Sequence, residues 1–215
     1  MTKLNKAELI KDLQRRLKKA KELNVEDLAS SIREAGFQCL RCGECCTGED
    51  NSVVAFPSEI RRIMNGTGKA WLEVAEPPKE GEIDVRGNFH TLEWRLRKAG
   101  PSCRFYNGRV CVVYEIRPIL CSTYPFYLDL EDGQLRSSEC KGLGKEISPE
   151  GSLELARKLK ERCIFDLEEA LSLVEKYESF DRGYDNGPLS GFWIIHDSEG
   201  AHRIAKRNID NRRCK

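Results

Sequence analysis

The sequence predicts an α+β protein: a small metal-stabilised domain with short antiparallel strands, helices at both ends and a C-terminal β-hairpin. Three observations predict it. Apolar residues recur at helical spacing over 5–35 and again over 149–178. Short runs between them alternate apolar and polar residues and are broken by Gly and Pro. Eight of the ten cysteines fall in that middle stretch. The chain divides into an N-terminal helical segment (1–36), a cysteine-cluster metal-binding domain (37–145), and C-terminal helices with a hairpin (146–215) packed as one unit with the core.

Each element has a local reason. Over 5–23, Leu9, Leu13, Leu17 and Ala20 form one face of a helix, with Lys and Arg on the others. Asn24 is a candidate N-cap for a second helix over 25–35, with Leu28 and Ile32 inward and Gly36 as its stop. Pro57-Ser58-Glu59 opens a short helix carrying Ile60 and Ile63. His90–Leu96 alternates as one strand, with Leu92, Trp94 and Leu96 on one face. Val110–Tyr114 reads as a second strand. Phe126, Leu128 and Leu130 read as a third, ending at the Glu131-Asp132-Gly133 turn. Leu155, Leu159, Cys163, Leu167, Leu171 and Val174 make the apolar stripe of a helix over 149–178. Asp185–Pro188 is a loop. Phe192–Ile195 and Ala201–Ile204 flank Asp197-Ser198-Glu199-Gly200, which suits a hairpin with Gly200 at positive φ.

Composition excludes several classes. The chain has 215 residues, enough to bury a core without disulfides. The first residues are charged throughout, with no apolar leader core, and no run of about 18 apolar residues occurs. A cytoplasmic protein with no membrane contact is expected. In a reducing compartment its cysteines are metal ligands or redox groups rather than disulfides. Residues 1–23 carry +5 and residues 203–215 carry +5, although the whole chain is only +1. The basic ends admit contact with nucleic acid, but no nucleic-acid motif or aromatic interleaving accompanies them, and solvated helix faces are the favoured account. No phosphate loop, dinucleotide fingerprint, H-E-x-x-H helix or nucleophile elbow occurs, and no catalytic residue is assigned.

The chemistry lies in Cys39-x2-Cys42-x2-Cys45-Cys46, then Cys103-x7-Cys111-x9-Cys121, then Cys140. Thiolates are soft ligands that select zinc, Cu(I) or iron–sulfur clusters. All eight are candidate metal ligands. C-x2-C-x2-C with a remote fourth cysteine is the spacing that wraps a [4Fe–4S] cube, so an iron–sulfur cluster is the expected cofactor. Zinc is the alternative, although only the first half has the paired C-x2-C spacing of a zinc site. A redox thiol protein with no obligate metal is the third reading. Cys45 and Cys46 are expected to diverge, so that one ligates and the other serves a second centre or substitutes. Cys163 continues an apolar helical face and reads as core, and Cys214 as a tail thiol.

These cysteines, together with Tyr114-Glu115-x-Arg117-Pro118-x2-Cys121 and Tyr124-Pro125-Phe126, resemble the YkgJ-like family of zinc- or iron-chelating cysteine-cluster proteins over roughly residues 37–145. Cys140, in Ser138-Glu139-Cys140-x-Gly142-x-Gly144, resembles an extension of its longer, archaeal-type members. The resemblance implies metal chelation and supplies no reaction. It favours Arg117 as a residue behind the ligands that offsets the charge of the centre, against a surface ion pair. Pro118 and Pro125 shape the loops that aim Cys121. Tyr124, Phe126 and Trp94 either shield the centre or pack the core. His196 and His202 are expected as exposed strand residues, and His90 as a hydrogen-bonded structural histidine. The function expected is a redox, electron-transfer or sensing module with a protein redox partner. The alternatives are a zinc-bearing module that binds RNA or a protein, and a cluster-dependent enzyme.

Overall fold

A computed structural model describes residues 5–48, 51–129, 131, 133–183 and 191–205. The expected 185–188 loop, Leu130, Asp132 and the tail with Cys214 lie outside the described residues. The helices are α1 (Lys6–Glu22), α2 (Val25–Ala35), α3 (Pro57–Thr67), α4 (Trp71–Val74), α5 (Ile119–Thr123) and α6 (Pro149–Lys176). The strands are β1 (Val54–Ala55), β2 (Ala75–Glu76), β3 (Glu82–Ile83), β4 (Phe89–Leu92), β5 (Trp94–Leu96), β6 (Lys98–Ala99), β7 (Ser102–Cys103), β8 (Phe126–Leu128), β9 (Leu135–Ser137), β10 (Phe192–Asp197) and β11 (Gly200–Ala205).

The helical ends form as their sequences direct. Asn5 and Asn24 cap α1 and α2 by accepting from backbone N–H groups of the first turn. Gly36 ends α2 at φ 63°, where a side chain would meet the Lys145 carbonyl oxygen at 2.7 Å. Ser148 caps α6, whose first residue is Pro149. Helix α6 lies across α1 and α2. Ala20, Leu28, Ala29 and Ile32 meet Leu155, Ala156, Leu159, Cys163 and Leu167, with Phe126 and Leu128 of β8 closing the layer. Each large aliphatic side chain buried there contributes roughly 1.5–3 kcal/mol.

A second apolar core joins Ala55, Ile60, Ile63, Val74, Ala75, Trp94, Leu96, Phe105, Val113 and Ile195. Its frame is the antiparallel sheet β1-β5-β2 and the sheet β11-β10-β4-β3. The terminal hairpin β10–β11 is present, with Asp197 opposite Gly200. The β10–β4 pairing is parallel, an exception to the expected antiparallel pattern.

Three expectations need correction. The strand expected over 90–96 is two strands in different sheets, because Glu93 takes φ 60° and turns the chain. Leu92 therefore faces solvent, while Thr91, Trp94 and Leu96 are buried. Val110–Tyr114 is not a strand. Tyr106 and Cys111 form an isolated bridge and a 3₁₀ turn follows at Tyr114–Ile116, so Val113 is buried while Val110 and Val112 are exposed. His196 is buried, and His202 is half-buried. His196 Nε2 lies 2.9 Å from His90 Nδ1, and His90 Nε2 lies 3.1 Å from Asp84. His202 bonds Asp197, which also accepts from the Trp94 indole. All three histidines are hydrogen-bonded within the protein. Burial and the neighbouring His90 hold His196 below the ordinary imidazole range.

Candidate metal centre

The first cysteine loop is strung between two fixed points. At its start Phe37 bridges to Leu143, and Gln38 N–H donates to the Gly142 carbonyl. At its end Thr47 bridges to Ser102, next to Cys103. The loop therefore runs from the Cys140 segment to the Cys103 segment. Its middle is fixed by Gly43 at φ 78°. A side chain at Gly43 would stand 2.2 Å from the Tyr106 ring, so only glycine lets that ring lie against the loop. Arg41, at φ 52°, lays its guanidinium 4.7 Å from the centre of the Tyr114 ring. Arg117 lies 3.5 Å from the same ring and donates to the Tyr114 carbonyl.

Cys45 and Cys46 do not diverge as expected. They sit on a 3₁₀ turn with their sulfurs 4.0 Å apart. Two sulfurs sharing one zinc at 2.3 Å bonds stand about 3.8 Å apart, so this pair already has ligand spacing. The nearby Cys46 thiol pulls Cys45 down to about 7, with the Arg117 charge assisting, and Cys46 itself is pushed up. Cys103, Cys111 and Cys121 lie on the margin of the second apolar core. Their charges act on one another and on the Cys45–Cys46 pair. Burial pushes Cys103 and Cys121 up, as it does for any thiol that no cation or metal yet stabilises as thiolate.

Cys140 stands by the start of the loop, where Gln38 meets Gly142. Cys140 Sγ accepts from Gly142 N–H at 3.4 Å. Burial is the main cause that pushes the Tyr124 hydroxyl up, with the charges of Cys140, Cys45 and Cys42 adding to it. The Tyr124 hydroxyl donates to the Glu139 carbonyl, and Lys141 pairs with Glu44 across the gap. Cys39, Cys42 and Cys45 are exposed. Cys45, Cys46, Cys103, Cys111 and Cys121 thus act on one another electrostatically, Cys140 stands by the start of the loop, and Cys39 and Cys42 are exposed along it. Among the described residues, no three Cys, His, Asp or Glu side chains already converge at metal–ligand range. Cys103, Cys111 and Cys121 must turn toward the Cys45–Cys46 pair to close on an ion. Thiolates are the right donors for zinc or iron, so the residues present fit such a group. Trp94 and Phe126 belong to the two cores rather than to this edge. Cys163 is core as well, with burial pushing its thiol up to about 11.

One residue escaped the sequence reading. Glu59, on α3, is only 3% exposed and accepts from Phe56 N–H at 3.3 Å and from Ile119 N–H at 2.7 Å. The second bond fixes the start of α5, which carries Cys121. Arg62, one turn on, donates to the Arg117 carbonyl at 3.0 Å. Helix α3 therefore positions the Cys121 segment through a buried carboxylate. Its only trace in the sequence is a glutamate in a first helical turn, which is common on any helix.

An α+β frame with two apolar cores and a thiol-rich edge defines a metal-chelating class of protein. Residues 38–141, which enclose all eight of these cysteines, match the family model described as "CxxCxxCC: Putative zinc- or iron-chelating domain". The description supports metal binding, by zinc or iron, in this segment. No solved structure was found to match the chain. No described helix is long and apolar enough to cross a membrane.

Proposed function

We propose that the Cys45–Cys46–Cys103–Cys111–Cys121 group holds an iron–sulfur cluster and that the protein serves as a redox or electron-transfer module. The observation that carries this reading is the position of the thiols. Cys45 is exposed and Cys46 half-buried, while Cys103, Cys111 and Cys121 are half-buried at the margin of the second core, so the group runs from that core to the surface. Small domains that lack a core use metal as a staple, and this chain has no such need. A centre at the surface is instead placed to exchange electrons with another protein. More than four thiols and no imidazole or carboxylate among them suit iron and sulfide. Arg117, beside the Tyr114 ring and electrostatically coupled to Cys45, would offset the negative charge of the loaded centre.

Metal and sulfide analysis of anaerobically purified protein tests the reading. Iron and acid-labile sulfide in cluster ratio, broad absorption near ~400 nm and reversible bleaching on reduction are expected. Colourless protein with stoichiometric zinc, made in iron-replete cells, would overturn it. The 4.0 Å separation of Cys45 and Cys46 sulfurs is the one observation favouring that zinc alternative.

A further inference from the structure

We infer that the rim of the thiol edge is a docking surface for an acidic electron-carrier protein. This inference rests on the redox reading above and names its partner. Seven large hydrophobic side chains are conspicuously exposed among the described residues, and three of them flank cysteines directly: Leu40, Val110 and Val112. Leu40 lies between Cys39 and Cys42, and the two valines enclose Cys111. Each sits beside an exposed arginine, Arg41 in one loop and Arg109 in the other. Among the described residues neither arginine forms an ion pair. The two loops are neighbours in space, because Tyr106 bridges to Cys111 and covers Gly43 while Arg41 covers Tyr114.

Local structure holds this rim outward. Asn107 Oδ1 accepts from Arg109 N–H and Val110 N–H, which fixes the turn that presents both side chains. Arg41 is exposed along the Tyr114 ring on a backbone at φ 52°, a conformation that costs a non-glycine residue energy. Arginine is enriched at interface centres, and the exposed Leu40, Val110 and Val112 supply apolar area beside it. Residues 24–202 carry a net negative charge, and of the exposed acids in these loops Glu44 is paired with Lys141 and Glu115 lies on the 3₁₀ turn beyond Val113, so Arg41 and Arg109 are the cations offered beside the exposed apolar side chains. The complement is a protein with an acidic face around its own redox group. On docking, one electron would pass from the reduced carrier to the oxidised centre. The carrier is oxidised and the centre reduced by one equivalent, with no atom transferred.

The test uses the full chain as isolated with its metal. An acidic plant-type [2Fe–2S] ferredoxin is the probe, basic cytochrome c the counter-probe and single-stranded RNA the third ligand. Equilibrium binding is read by fluorescence anisotropy at several salt concentrations. Saturable ferredoxin binding that weakens by roughly tenfold between 20 and 200 mM salt is expected. R41Q/R109Q should weaken it by about tenfold, and V112S by about fivefold at high salt, where charge is screened. Metal content should stay at the wild-type level in both. R109Q alone, on the loop that does not carry the strained Arg41 backbone, should account for part of the loss. No ferredoxin binding, unchanged affinity in the variants, tighter binding of cytochrome c, or RNA binding stronger than ferredoxin binding would each overturn the docking inference. Binding does not depend on which metal is present. A zinc-loaded protein that binds ferredoxin would sink the redox reading alone, and an iron–sulfur protein that ignores it would sink the docking surface alone.

Discussion

Helices α1, α2 and α6 meet through a continuous layer of buried aliphatic side chains, whereas the cysteine loops are held by bridges, turns and single hydrogen bonds. On the helical side, Ile32, Ala156, Leu159 and Leu167 are almost completely buried. On the thiol side, Cys39, Cys42 and Cys45 are exposed, and the loop keeps its shape through Gly43 against Tyr106 and Thr47 against Ser102. The contrast teaches that the two regions draw stability from different sources. The helical layer is closed mainly by apolar burial, with Lys21–Glu168 and Lys160 to the Leu23 carbonyl as polar contacts at its edge. The thiol edge is pre-shaped by the backbone, and on the proposed reading metal completes it.

A pair of substitutions separates these sources, and it carries the largest effects expected. Thiolate–metal binding at a structural site supplies on the order of 10 kcal/mol. Cys45→Ser/Cys121→Ser should abolish stoichiometric metal while far-UV circular dichroism keeps nearly all of its helical signal. Leu159→Ala should do the reverse. It should retain metal and lose about 2–5 kcal/mol in urea unfolding, because it leaves a cavity under α1 and α2. Metal retained in the first variant would show that other thiols are the ligands. Helical collapse in the first variant would show that the edge supports the core after all.

A smaller effect joins the two regions at Glu59. Its carboxylate accepts from Phe56 and Ile119 backbone N–H groups, and burial, the main influence, raises it above the ordinary carboxylate range. Glu59→Gln keeps one oxygen acceptor and brings an amide donor to the other backbone N–H. The buried loss should cost about 1–3 kcal/mol and weaken metal binding several-fold by loosening the start of α5. Metal competition against a chelator reads this directly. Equal metal affinity in wild type and variant would mean that Cys121 is aimed by something other than α3.

How much was legible follows from the same contrast. Apolar spacing and caps are local signals, so α1, α2, α3, α6 and the β10–β11 hairpin stood out in the sequence. The eight cysteines stood out because four thiols in eight residues suit no core. The grouping of these thiols was hidden. It depends on Thr47 meeting Ser102 and Gln38 meeting Gly142, contacts between segments far apart in the chain. The Glu93 turn was hidden too, since an alternating pattern gives no warning that one residue takes φ 60° and reverses which faces are buried. Burial of His196 followed from the parallel β4–β10 pairing, which no local periodicity encodes.

The smallest effect lies on α6, where the helical layer turns toward the second core. Asp166 faces Arg162 and Cys163 on its own helix, Glu59 from α3 and Glu93 at the turn before β5. Burial pushes its carboxyl from the ordinary 3.8 up to about 6, and Arg162 only partly opposes this. Below about pH 4 the carboxyl is protonated in both the folded and unfolded chain and imposes no penalty. Between about 4 and 6 the unfolded chain releases the proton while the folded chain retains it, so stability falls as pH rises. Above about 6 the cost is complete. The side chain is about a third exposed, which screens the penalty to about 1 kcal/mol. Asp166→Asn removes the titrating group. The stability of the variant relative to wild type should therefore rise by about 1 kcal/mol between pH 4 and pH 7 in urea unfolding followed at the helical signal. Both proteins carry the same cysteines, so the pH dependence of metal binding is common to both and cancels in the difference. Parallel stability curves across that range would show that Asp166 is solvated or fully neutralised by Arg162, and that the face of α6 toward the second core is as insensitive to pH as its face toward α1 and α2.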